Sequence, residues 1–222
     1  MDTHGIIQAI SIYGIPVLFA ISLHEAAHGY VARYFGDPTA AEAGRISLNP
    51  IRHIDLFGTI LMPLVLSLMH IVPIGYAKPV PVQFGRLRNP KKQMAYVALA
   101  GPAANFAMGL GWALFGLLIK KSGIPGHIIY EMALAGVSVN AAMCVFNLIP
   151  IPPLDGGRIM TSLLPMPLAL RFAQIERYSL FIFVGLIALM QFRLLDGVLL
   201  AGMSVVVSLF TLILSPLTFL LN

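Results

Sequence analysis

Two histidines and a glutamate, His24, His28 and Glu25, stand in the stretch "SLHEAAHGY" inside a long apolar run. On a helix, positions i and i+4 lie about 40° apart around the axis and one turn apart along it, so both imidazoles face one point. A single zinc ion suits such a pair. Glu25 sits one step round from His24, able to reach a water at the metal without being a ligand itself, which is the arrangement of a zinc-dependent hydrolase. A plainer reading makes the histidines interfacial and pairs Glu25 with Arg33. The cost of burial counts against it. An ionisable side chain at mid-bilayer costs about 2.5–3.5 kcal/mol on insertion scales, and such groups need compensation.

Catalytic zinc needs a third protein ligand and an open position. The segment "NLIPIPPLDGGR", residues 147–158, offers Asp155. Pro150, Pro152 and Pro153 remove backbone donors and end the preceding helix, while Gly156 and Gly157 let the chain turn sharply. The same segment also reads as an ordinary turn with Asp155 capping the next helix. Other acids compete less well: Asp37, Glu42 and Asp55 fall in or beside a loop, and Glu131, Glu176 and Asp196 lie near the ends of helices. His53 and His70 flank an apolar stretch and read as interfacial rather than ligating.

The elements that must position these groups are membrane helices. The 222-residue chain is 58% hydrophobic and only 10% charged, well under the quarter expected of a soluble domain. About 20 apolar residues make one crossing. Runs at 5–34, 93–119, 128–149, 178–192 and 198–221 qualify as helices, that at 178–192 being short, and a sixth apolar stretch covers 54–72. The expected fold is therefore an all-α polytopic membrane protein of five to six transmembrane helices. It forms one membrane-embedded domain over 1–222, with a catalytic core at about 5–160 and extra helices at about 178–221. The opening "MDTHG" has no basic leader, so a cleaved signal peptide is not expected. The net charge of +5 comes from residues scattered between the apolar runs, with no basic face, which argues against a nucleic-acid partner. Cys144 is the only cysteine and reads as a packed thiol.

If all six stretches cross, the 14 basic residues divide almost evenly between the two sides. If 54–72 dips in and returns, all but Lys120, Lys121 and Arg193 fall inside, as the positive-inside rule prefers. That version has five crossings, the N-terminus outside and the C-terminus inside. After the re-entrant stretch, "PIGYAKPVPVQF" at 73–84 is too rich in proline for a helix and has extended character, so a short β-like hairpin is expected near the site. Such an edge could pair with an unwound substrate by β-augmentation. Non-helical backbone at membrane depth also implies a cavity beside it.

In this order, "HEAAH", "GYAKPVPV", "AGPAAN" at 100–105 and "NLIPIPPLDGG" resemble the site-2 protease family of intramembrane zinc metalloproteases, over about residues 20–160. The resemblance implies one Zn2+ held by His24, His28 and Asp155, with Glu25 activating the water and Asn147 holding substrate or oxyanion. Asn140 is a weaker candidate for that last role. "AGPAAN" would be the family's tightly packed central helix. The chain is similar to the minimal branch, without an inserted PDZ domain or a following CBS domain. The implied substrates are transmembrane proteins in the bilayer, and the implied location is the inner (cell) membrane of a prokaryote. Two other classes are carried beside it. A metal-ion transporter would need acids or histidines on several helices forming a path. A catalytically inactive scaffold would be expected to lose Glu25 before its packing motifs.

Overall fold

Apolar sequence becomes helix wherever an unbroken run lets the backbone satisfy itself without water. The computed structural model describes residues 3–47, 49–62, 65–66, 78–123 and 127–220. Helix α1 runs Thr3–Tyr34, α2 Pro90–Ser122, α3 His127–Asn147, α4 Asp155–Leu163, α5 Met166–Ala173, α6 Ser179–Gln191 and α7 Asp196–Leu220. Among the described residues five helical stretches are long and apolar enough to cross a membrane: Ile7–Tyr34, Pro90–Ser122, His127–Asn147, Met166–Gln191 and Asp196–Phe219. The chain is a multi-pass integral membrane protein. The fourth span begins well before the 178–192 expected for it, because α5 and the helical turn Gln174–Tyr178 carry Arg171, Glu176 and Arg177 into the same run. Those charges interrupt the apolar pattern without interrupting the helix.

Helices α1, α2 and α3 pack on one another, α4 packs on α2, and α7 lies against α3 and α2. Small residues allow the approach. A Cβ on Gly136 would strike the Trp112 ring, one on Gly109 would lie 2.7 Å from Phe210, and one on Gly202 would lie 2.6 Å from Val145. At its far end α2 stops at Gly123, whose left-handed φ of 64° closes the helix as glycine readily does.

Two expectations find no support here. Among the described residues there is no strand: 78–83 is extended but joins no ladder, and it ends in the tight turn Phe84–Arg86, so no β-like hairpin is seen there, residues 73–77 of the expected hairpin lying outside the described residues. The cause lies in its N–H groups. Pro79 and Pro81 have none, and those of Lys78, Val80 and Gln83 are taken by the His53 carbonyl and the side chains of Glu25 and Asp37. Nothing supports the re-entrant reading of 54–72 either. Asp55 caps the helical turn Leu56–Leu61 through the N–H groups of Phe57 and Gly58, and residues 63–64 and 67–77, His70 among them, lie outside the described residues. His53 is buried, with its Nε2 2.7 Å from the Ser47 carbonyl.

Candidate metal centre

Asp155 opens α4 immediately after the bend at 148–154, and the bend is as tight as backbone allows. A Cβ on Gly156 would strike the Leu148 carbonyl, and one on Gly157 the Pro152 backbone, so only glycine lets α4 fold back against the end of α3. Although Asp155 stands in the first turn of α4, it is not the cap: Leu154 holds that position and no side chain caps it. The carboxylate turns instead towards α1. Asp155 Oδ2 lies 3.3 Å from His24 Nε2 and 3.4 Å from His28 Nε2, and the two Nε2 atoms are 3.1 Å apart. All three residues are buried, at 6%, 9% and 6% exposure for His24, His28 and Asp155.

The other ring nitrogens decide what these atoms can do. His28 Nδ1 is 2.7 Å from the Val97 carbonyl, which can only accept, so Nδ1 carries the proton and a neutral ring turns a lone pair inward at Nε2. His24 Nδ1 is 2.6 Å from Asn105 Oδ1. Asn105 is itself oriented, since its amide donates to the Ala20 carbonyl and to Asn140 Oδ1, and Asn140 donates to the Gly136 carbonyl. Two inward lone pairs and Asp155 Oδ2, a buried oxygen with no hydrogen-bond partner, thus meet at little over 3 Å. Three acceptors in contact repel unless a cation lies among them. Donors around a tetrahedral zinc at about 2.0–2.1 Å stand about 3.3–3.4 Å apart, close to the spacing seen. These residues could hold a metal ion, and the donor set fits zinc. Helix α2 closes the back of the site through Gly101, where a Cβ would lie 2.5 Å from both His24 Cε1 and His28 Nε2.

Glu25 does not pair with Arg33. Its Oε2 accepts the Val80 N–H at 2.7 Å, which fastens the extended segment 78–83 to α1 beside the histidines. A second acid does the same one step further on. Asp37, fully buried after the end of α1, accepts the Gln83 N–H at 2.6 Å and the Thr39 N–H at 3.0 Å. Burial works to raise its pKa, but the Thr39 and Gln83 hydrogen bonds and the nearby Arg86 charge outweigh it and hold the carboxyl below the ordinary 3.8. Arg45 completes the attachment by donating to the Lys78 carbonyl at 2.7 Å.

A cavity of about 820 Å³ opens in front of the three clustered residues. Glu25, Asn147, Val80 and Arg158 line it, together with Leu180 of α6 and Met203 of α7. Asn147 is therefore beside the site, with one of its N–H groups donated to the Met143 carbonyl at 3.0 Å. Asn140 is elsewhere, sealed between helices and bonded to Asn105. Sequence reasoning treated "AGPAAN" as packing and missed Asn105. The available signal was a lone amide in an apolar helix, which needs a partner at membrane depth.

The model of peptidase family M50 matches residues 120–190. The chain is 33% identical over 210 residues to "Putative zinc metalloprotease YwhC" of Bacillus subtilis, covering 91% of this chain and 92% of that protein. It is 31% identical over 141 residues to "Putative zinc metalloprotease Rip2" of Mycolicibacterium smegmatis, covering 63% and 52% respectively. At the same stringency no solved structure matches.

Proposed function

The chain belongs to peptidase family M50, the site-2 protease family, and from that premise we propose that it hydrolyses peptide bonds within or beside transmembrane segments of membrane proteins. The substrates of such regulated intramembrane proteolysis are bilayer-embedded proteins, and the setting is the inner (cell) membrane of a prokaryote. The observation that carries the reading is the convergence of His24, His28 and Asp155 beside Glu25 in a lined cavity.

The two imidazoles and Asp155 would hold the zinc, which when bound would supply Lewis acidity to the site. The chain's own residues do the rest. Asn105 and the Val97 carbonyl fix both rings with their Nε2 atoms inward. Glu25 is the general base. With Oε2 on the Val80 N–H, its other oxygen takes the proton of the attacking water and passes it to the leaving amine. Asn147, on the cavity wall, offers its second N–H to the substrate carbonyl. The largely apolar wall accepts lipid-facing side chains of an unwound helix. In an N-out topology the histidines lie in the inner half of α1, which leads into the basic loop where water is at hand.

A transport path would need a succession of ligating clusters. Among the described residues His24, His28 and Asp155 form the only such group. The test is cleavage of a single-span substrate in proteoliposomes by wild type, Glu25→Gln and chelator-treated protein. The variant should lose about 10²–10⁴-fold in rate while keeping its metal. Equal cleavage by all three would contradict the proposal.

A further inference from the structure

A substrate unwound from a helix arrives with carbonyls that have lost their partners, and the segment beside the site is poor in donors. Between 78 and 83 only the Val82 N–H has no acceptor among the described residues; the others are absent in proline or already committed. Such a segment can accept hydrogen bonds from a substrate but gives back almost none. The missing donor must come from elsewhere in the cavity lining.

Arg158 stands there. It is three residues beyond Asp155 on α4 and lines the same cavity. One terminal nitrogen donates to Glu176 Oε1 at 3.0 Å, so its charge is answered. One face of the guanidinium lies over the Phe84 ring, 5.3 Å from the centroid, at the very end of the extended segment. Of its other N–H groups, that on Nε is buried and has no partner among the described residues. An orphaned buried N–H is costly, and a neutral acceptor meets it without competing with Glu176. The extended segment and the orphaned donor are thus complementary in what they lack.

We propose that Arg158 is a substrate-binding residue, whose Nε–H donates to a backbone carbonyl of the unwound substrate lying between 78–83 and α4. The inference rests on the proteolytic reading and deepens it: recognition is of main chain, tolerant of side-chain sequence and dependent on unwinding.

The test uses the full chain in proteoliposomes with a single-span model substrate. KM and kcat are measured for wild type, Arg158→Gln, Arg158→Lys and the swap of Arg158→Glu with Glu176→Arg, with zinc content and melting temperature as controls. Arg158→Gln and Arg158→Lys should both raise KM about tenfold or more with kcat little changed, as for a lost hydrogen bond to a charged group. The lysine variant keeps the charge facing Glu176 and decides the matter if the glutamine variant loses its zinc. The swap should recover any lost melting temperature and leave KM high. Wild-type KM in the lysine variant, or recovery of KM by the swap, would overturn the proposal, since Arg158 would then be a brace for Glu176. Capture of the same substrate by photo-crosslinking in a Glu25→Gln background reads Arg158 without hydrolysis. Loss of capture on adding Arg158→Lys supports the proposal even if zinc-dependent cleavage fails, and unchanged capture contradicts it.

Discussion

The two sides of the cavity are built differently. On one side α1, α2, α3 and α4 are locked by small residues and by a buried chain of amides running from Asn140 through Asn105 to His24. On the other, α6 has its sustained contact only with the turn Gln174–Tyr178 that leads into it, among the described residues, and Leu186 is its sole buried residue. A metal site tolerates little displacement, so its ligands sit where helices cannot shift. A wall that must admit a foreign helix gains from the opposite. The contrast predicts that substitutions which disturb the packing around the histidines on the locked side destroy metal binding, while those on the open side change only how substrate is held.

The largest effect belongs to Gly101→Ala, which would drive a methyl group against both imidazoles and should remove bound zinc and cleavage together. Gly111→Ala on the same helix meets nothing within 4 Å and should leave both unchanged, as metal analysis of the two purified variants would show. Next is Asn105→Ala, which leaves His24 Nδ1 without its acceptor. Zinc competition titration should show affinity reduced by about 10–100-fold. Loss of zinc in Gly111→Ala, or unchanged affinity in Asn105→Ala, would break the contrast.

Asp37 marks the attachment of the extended segment and should be read by pH. Its carboxyl pKa is depressed in the folded protein, so its contribution to stability is complete above the ordinary 3.8 and is lost as pH falls from there through the depressed value. Asp37→Asn should lower the melting temperature near neutral pH, and the deficit relative to wild type should shrink as the sample is acidified below 3.8. A deficit independent of pH would mean that packing, not charge, fixes the segment. The smallest effect is that of Leu180→Ala on α6. The side chain is 70% exposed in this structure and faces the cavity, so zinc and melting temperature should not move. KM should rise by only about fourfold, the scale of one methylene group.

The sequence made the locked side legible. His24 and His28 announce themselves by spacing, Asp155 by the prolines and glycines around it, and each apolar run by its length. What it hid is polar and long-range. The partner of Glu25 is 55 residues away in a segment whose extended character suggested a strand, and only the folded chain shows its N–H groups spent on carboxylates. The start of the fourth span was obscured because Glu176, charged and therefore left just outside the apolar run, pairs with Arg158 and remains helical. The burial of His53 was hidden for a related reason: position beside an apolar run says nothing of whether a loop folds over the ring.

The central claim is that one metal ion is gripped by α1 and the start of α4, and zinc X-ray absorption on the purified protein tests it most directly. A single zinc per chain with two imidazole nitrogens and at least one carboxylate oxygen at about 2.0–2.1 Å, disrupted in Asp155→Ala, is the expected result. Zinc absent from active protein, or a coordination shell identical in wild type and Asp155→Ala, would contradict it.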